Sequence, residues 1–392
     1  MQPLSASGPI HGGAHAAAAL PASAADDSRL HGVDALRGVA ALLVMLFHYT
    51  TRYQEKFGHV SPPAFEVHWG YLGVNLFFMI SGFVIFMTLE RTRRPADFLV
   101  SRFSRLFPAY WVAALVTWTI VQLTPELGKN VSPLAAIGNG LMFHGLLGIP
   151  NIDGVYWTLE VELLFYWAMF LLWLTVGFAA PVRWLAPWLA LSIVAAAVQR
   201  LGFAFPYIVS RVFILPYFPY FALGVLLYLY FVRRTFRWRV EGLIAALTLL
   251  AIAIADPSSR LVWTFSFVVL FVLVAFRWQD SFAVRALARV GIISYPLYLL
   301  HETIGWTLIH RLEAHGVGAN LAIAIACAIA LTLALVLHLV VERPAMRSIR
   351  AAWRRTSSAA SVAAITDRRR WIGATVLIGA AVLVGNRLTL HS

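Results

Sequence analysis

Val33-Asp-Ala-Leu-Arg-Gly-Val-Ala-Ala-Leu-Leu-Val-Met-Leu-Phe-His-Tyr-Thr-Thr51 is an apolar run of membrane length that carries Asp34, Arg37 and His48 where a plain anchor would carry only Leu and Val. Ionisable groups in hydrocarbon are costly and usually mark a site. At 100° and about 1.5 Å per residue, the steps from Arg37 to His48 come to roughly 1100°, about 20° past three turns, over about 16 Å. The two side chains therefore share a face near opposite ends of the span, as a polar track lining a bundle interior does. An Arg snorkelling to headgroups beside an interfacial His is the alternative for this pair taken alone.

The same composition continues outward from this span. Hydrophobic residues make up 60% of 392 positions and charged residues 12%. The mean hydropathy is +0.76, far from the balance of a soluble domain. Apolar runs at 33–51, 71–89, 101–121, 155–176, 184–199, 211–232, 240–255, 260–276, 290–310, 319–341 and 371–389 predict an all-α polytopic transmembrane bundle of about 10–11 spans. The stretch 134–149, broken by Gly and Pro, reads as a re-entrant or interfacial piece.

Lys and Arg outnumber Asp and Glu by 31 to 18. If the N-terminus is cytoplasmic and the spans alternate, 23 of those basic residues fall on cytoplasmic segments. That bias is the positive-inside rule, so the charge sets orientation and does not imply a nucleic-acid partner. The expected organisation is a disordered cytoplasmic tail at 1–30, a membrane domain at 31–345, a basic cytoplasmic linker at 346–370 and an additional C-terminal span at 371–392. A single cysteine, Cys327, excludes a disulfide framework and a thiolate metal centre.

Four further spans carry polar groups. Ser101-Arg-Phe-Ser-Arg-Leu-Phe-Pro-Ala-Tyr-Trp111 places Arg102 and Arg105 on one helical face. Two guanidinium forks held together suit phosphate oxygens, with ordinary positive-inside basicity as the alternative. In Val155-Tyr-Trp-Thr-Leu-Glu-Val-Glu-Leu-Leu-Phe-Tyr-Trp167, Thr158, Glu162 and Tyr166 form one polar stripe, while Glu160 points roughly 200° away from Glu162. Glu162 could reach His48 in a shallow cavity, or it could merely cap a neighbouring Tyr or Trp. Asn75 lies among the small residues of the 71–89 span, and Ser294-Tyr-Pro-Leu-Tyr-Leu-Leu-His-Glu302 sets His301 beside a proline kink at Pro296. The spacing of these residues does not suggest a metal site.

Together these landmarks resemble, in order, the acyltransferase-3 family of integral-membrane O-acyltransferases. They are Asp34-Ala-Leu-Arg-Gly38 running to His48, the Tyr71–Phe83 span, the Arg102/Arg105 pair, Tyr156-Trp-Thr-Leu-Glu-Val-Glu162 and Ser294–His301. The resemblance covers about residues 30–345. It implies an acyl-CoA donor from the cytoplasm, with acetyl as the expected acyl group, and a carbohydrate or glycolipid acceptor hydroxyl on the other side of a bacterial inner membrane. It also implies that Arg37, His48, Arg102 and Arg105 matter for activity and that Glu162 is the acid of the fourth span. Here Thr158 stands where the family usually has Ser, Glu160 is an additional acid, and Asn75 replaces a common Asp.

The expected mechanism is direct transfer without a metal. Arg37, Arg102 and Arg105 would hold donor phosphates, His48 would act as general base, and Glu162 would orient its imidazole. Asp34, Asn75, Trp157, Thr158, Tyr166 and His301 are expected as substrate or structural support. A flippase or exporter of a lipid-linked saccharide, binding cargo along the same track without transforming it, is the alternative.

Overall fold

The structure, a computed structural model, describes residues 22–255 and 260–359. Among them there is no strand, and seven helices are long and apolar enough to cross a membrane: His31–Lys56, Gly70–Arg91, Pro95–Leu123, Gly154–Thr175, Val182–Arg200, Arg260–Arg277 and Ala319–Ser357. The bent pair Phe282–Ile292 and Ser294–Ala314 forms an eighth if taken as one span. Two shorter apolar helices, Phe218–Arg233 and Glu241–Ala255, occupy the remaining runs between 33 and 341. The protein is a polytopic helical bundle. The run at 371–389 lies outside the described residues.

The helices that build the site are α1 (Ala22–Phe47), α2 (Gly73–Arg91), α3 (Pro95–Leu123), α4 (Trp157–Thr175), α5 (Phe218–Tyr228), α6 (Phe282–Ile292), α7 (Ser294–Ala314), α8 (Ala319–Leu337) and α9 (Arg343–Ala359). Lipid tails are as apolar as Leu, so helices in a bilayer associate by close packing of small residues. Two reciprocal glycine contacts do this here. Gly38 of α1 lies against the Leu287 carbonyl of α6 while Gly291 of α6 lies against the Asp34 backbone, and a Cβ at either position would overlap that backbone. Gly82 of α2 and Gly224 of α5 meet Phe221 and Met79 in the same way.

The α6–α7 pair is bent by 66° at Ile293. Pro296 accounts for it: with no N–H to give the carbonyl four residues back, it frees the helix to break there, and the ladder resumes with Leu297 N donating to the Ile293 carbonyl at 2.9 Å. A second departure from regular helix follows α1, where His48–Arg52 forms a wide π turn. Such turns displace side chains from the regular helical phase and recur at functional sites.

Two expected boundaries move. The helix α1 begins at Ala22, within the stretch expected as a tail through residue 30, where Ala22, Ala24 and Ala25 favour helix. The segment expected as a basic linker from residue 346 is helical through Ala359 and docks on α3. There Trp353 Nε1 donates to Asp97 Oδ1 at 2.7 Å and Arg350 Nε to Ser104 Oγ at 3.2 Å. Between α3 and α4, the stretch read as re-entrant or interfacial holds a short helix, Pro133–Asn139, capped by Ser132, and a single 3₁₀ turn at His144–Leu147.

Candidate active site

The π turn places His48 against α7. His48 Nδ1 lies 2.8 Å from the Val44 carbonyl and 3.3 Å from His301 Nε2. His301 Nδ1 lies 3.0 Å from the Tyr298 carbonyl and 3.2 Å from that of Leu297, so this nitrogen must carry the ring proton. Its Nε2 is then an acceptor, the proton of His48 sits on Nδ1, and His48 Nε2 is left with a free lone pair. Trp306 Nε1 donates to the His48 carbonyl at 2.9 Å and fixes the turn, while Tyr49 donates to the carbonyl of His301 at 2.8 Å.

His48 lines a cavity of about 550 Å³ together with Asn75, Lys129, Trp157, Glu302 and Trp306. Glu302 Oε2 is 3.9 Å from His48 Nε2, and Glu302 Oε1 is 3.7 Å from Lys129 Nζ. Lys129 also donates to Thr303 Oγ1 at 2.7 Å. Asp153, fully buried in the loop before α4, accepts from the Thr303 amide at 3.3 Å. Burial on its own would raise the Asp153 carboxyl, but the Lys129 ammonium opposes it, and the group is held below its ordinary value. His48 thus stands beside a buried network of acids and lysine.

A second, smaller cavity of about 60 Å³ adjoins it, lined by Arg37, Ser81, Arg105, Thr158, Glu162, Tyr166 and Tyr295 among others. Val74 and Tyr298 line both cavities and so form the wall between them. Thr158 Oγ1 donates to the Tyr298 hydroxyl at 2.7 Å, which pins that wall to α4. Arg37 keeps Asp34 at 3.7 Å and lies within the fields of Arg105, Glu162 and Tyr166. The guanidinium of Arg102 stands 5.7 Å from the Phe98 ring and 5.9 Å from the Tyr166 ring, and its buried Nε has no hydrogen-bond partner among the described residues. The three arginines named from the sequence therefore do converge.

Glu162 does not join His48. Its Oε1 accepts from Ser81 Oγ at 2.6 Å and from the Tyr166 hydroxyl, on the arginine side of the Val74/Tyr298 wall. The stripe of Thr158, Glu162 and Tyr166 is real, but helix phase gives the direction of a face and not the neighbour that meets it. That face meets α2 and α7 below His48. The acid nearest His48 is Glu302, which sequence reasoning noted beside His301 but did not place in the site. Lys129, Asp153 and Trp306 were missed as well. Asn75 and Trp157 line the larger cavity, and Thr158 and Tyr166 the smaller. Glu160, which points away from Glu162, is buried and receives both Nε and Nη2 of Arg211 at 2.7 Å. Among the described residues no three His, Cys, Asp or Glu side chains converge as metal ligands do.

A family model described as an acyltransferase domain matches residues 30–339, which include every side chain around both cavities. The chain belongs to this acyltransferase family. Similar members include the exopolysaccharide production protein ExoZ of Rhizobium meliloti, 27% identical over 328 residues that cover 78% of this chain and 96% of that protein. The acyltransferase MdmB of Streptomyces mycarofaciens is 26% identical over 373 residues, 81% of this chain and 92% of its own. The peptidoglycan O-acetyltransferase OatA of Listeria monocytogenes is 27% identical over 160 residues, 36% of this chain and 24% of its own. No solved structure matches. Within the acyltransferase family, then, this chain joins a histidine cavity to an arginine cavity through one thin wall.

Proposed function

We propose that this protein moves an acyl group, acetyl in the simplest case, from cytoplasmic acyl-CoA to a hydroxyl of a cell-surface or exported glycan across a bacterial inner membrane. The observation that carries this reading is the pair of cavities sharing Val74 and Tyr298. One end gathers guanidinium groups suited to phosphates, the other holds a histidine with a free lone pair, and an acyl carrier lying across the wall would present its thioester to His48. The excess of basic residues on the same side as Arg102 and Arg105 supports that side as the cytoplasmic one.

In the reaction, His48 Nε2 takes the proton of the acceptor hydroxyl as its oxygen attacks the thioester carbonyl. The tetrahedral species collapses with loss of the CoA thiolate, which recovers the proton from His48. Glu302, 3.9 Å away, stabilises the imidazolium between the two steps. Trp157 and Trp306 in the cavity wall offer the apolar faces on which sugar rings rest. No covalent acyl-enzyme is required. Cys327 lies on α8, and neither cavity is lined by it. Relatives named for exopolysaccharide production and for peptidoglycan O-acetylation support a glycan acceptor over the export of an unmodified saccharide.

The test is transfer in proteoliposomes with acetyl-CoA on the side of Arg102 and soluble glycan acceptors on the other. CoA release that depends on acceptor is expected. Acceptor-independent hydrolysis, or transport of the glycan without a gain of acyl mass, would refute the proposal.

A further inference from the structure

The face of α3 that carries Asp97, Ser101 and Ser104, next to that of Arg105, is covered by α9, which lies beyond the residues matched by the acyltransferase family. Arg350 binds the same short segment: its Nε donates to Ser104 Oγ at 3.2 Å, and its Nη2 reaches the carbonyl and hydroxyl of Ser101 at 3.4 and 3.5 Å. Between α3 and α9 lies a third cavity, of about 350 Å³, lined by Arg94, Asp97, Ser101, Arg350, Trp353 and Arg354. Of its lining residues only Asp97 is acidic, and that carboxylate is engaged by Trp353 at 2.7 Å. Arg105 and Arg354 both stand close enough to Arg350 for their charges to repel it. A concave cluster of like charges is costly to assemble, and an anionic ligand removes the cost.

The three cavities are linked in turn: Val74 and Tyr298 join that of His48 to that of Arg37 and Arg105, and the charge of Arg105 reaches Arg350 in the third. Coenzyme A has the matching order, with the thioester at one end, the pyrophosphate along the arm, and a phosphorylated adenosine at the other end. We propose that the α3–α9 cavity binds the terminal 3′-phosphate of the donor. Arg350 and Arg354 clamp it with Arg94, and the Trp353 ring, fixed through Asp97, stands beside the base. This rests on acyl-CoA being the donor. It adds a helix outside the family domain to the donor site and makes the enzyme selective for a 3′-phosphorylated nucleotide.

The experiment compares acetyl-CoA with acetyl-dephospho-CoA, which lacks only the 3′-phosphate, for the reconstituted protein and for Arg350→Ala/Arg354→Ala. For the unaltered protein the KM of the dephospho donor should be about tenfold higher, the size of one lost charge-assisted pair. In the double variant the ratio should fall to about one. The ratio is internal to each protein, so a smaller folded fraction does not move it. If the variant turns over too slowly to assay, calorimetric binding of adenosine 3′,5′-bisphosphate against AMP to the purified proteins gives the same comparison. A ratio that stays near ten in the variant, or near one in the unaltered protein, overturns the α9 assignment and leaves acyl-CoA as donor. Absence of transfer from either donor in the unaltered protein overturns the donor itself. The same chemistry could instead hold an anionic lipid headgroup. A rate that rises with phosphatidylglycerol over phosphatidylcholine in the unaltered protein but not in the variant, with equal KM ratios, would assign the cavity to lipid and overturn the proposal.

Discussion

His301 Nε2 stands 3.3 Å from His48 Nδ1, and this contact between α7 and the end of α1 decides which nitrogen of His48 can accept a proton. The carbonyls of Tyr298 and Leu297 hold the proton of His301 on Nδ1, which turns its other nitrogen into an acceptor. Through this relay the backbone of α7 points the lone pair of His48 toward the cavity. A base needs its tautomer set before its strength matters.

His48→Ala should therefore reduce acyl transfer by about a hundredfold or more, as loss of a general base does, with normal membrane abundance. His301 acts through His48, so it is a positioning residue and its variants should separate by hydrogen-bonding capacity. His301→Leu should lower kcat by roughly tenfold with little change in donor KM, and His301→Gln, which keeps an acceptor, should recover most of the loss. Equal defects in Leu and Gln variants, or an active His48→Ala protein, would remove the relay from the mechanism.

Arg102 and Arg105 test the donor end. Replacing both with Ala should raise the KM of the acyl donor by about tenfold or more while moving the acceptor KM little, and Lys at both positions should restore only part of the loss because it lacks the planar fork. The measurement is initial rate against donor concentration at saturating acceptor. Poor insertion with an unchanged donor KM would mean that the two arginines serve orientation alone.

The fold was legible because hydrophobic run length and charge bias act locally, and every run from 33 to 341 has a helix on it. The arginine cluster was legible for a related reason: Arg102 and Arg105 are one turn apart, so a single helix fixes their relation. What could not be read was any relation between helices of unknown rotation and depth. Glu162 was paired with His48 on helix phase and the family resemblance, whereas packing sets it beside Ser81 and puts Glu302, one residue past a histidine already singled out, within reach of His48. The tail of the site on α9 was hidden because a run of Arg and Ala reads as a linker until something is known to dock beneath it.

Glu160 illustrates the same gap with a stability consequence. Helix phase gives only its direction, away from Glu162; in the fold it is buried and carries Arg211, whose side chain is 28% exposed. Glu160→Gln should lower stability by about 1–3 kcal/mol, the range for breaking a charged pair whose other member keeps some solvent. Combining it with Arg211→Gln should return part of that loss, since no unpaired charge then remains. Thermal unfolding in detergent reads both. A single variant as stable as the parent would show that water already screens the pair.

The last prediction separates the two acids that sequence and structure nominate. Glu302 lies 3.9 Å from the lone-pair nitrogen of His48 and belongs to the buried network of Lys129 and Asp153. Glu162 lies beyond the Val74/Tyr298 wall among Arg37, Arg105 and Tyr166. An acid beside the base acts on the charged imidazolium, which exists only during the reaction, so Glu302→Gln should lower kcat by about ten- to a hundredfold and leave donor KM nearly unchanged. An acid among phosphate-binding cations acts on ground-state binding. Glu162→Gln keeps the acceptor for Ser81 and Tyr166 but removes a negative charge from an anion site, so it should lower donor KM by a few-fold with a modest effect on kcat. The signs differ as well as the parameters, which makes the pair of variants informative even if both lose some folded protein. A collapse of kcat in Glu162→Gln beside a nearly normal Glu302→Gln would place the charge that supports His48 across the wall, and the arrangement of the two cavities would then have to be read in a different conformation.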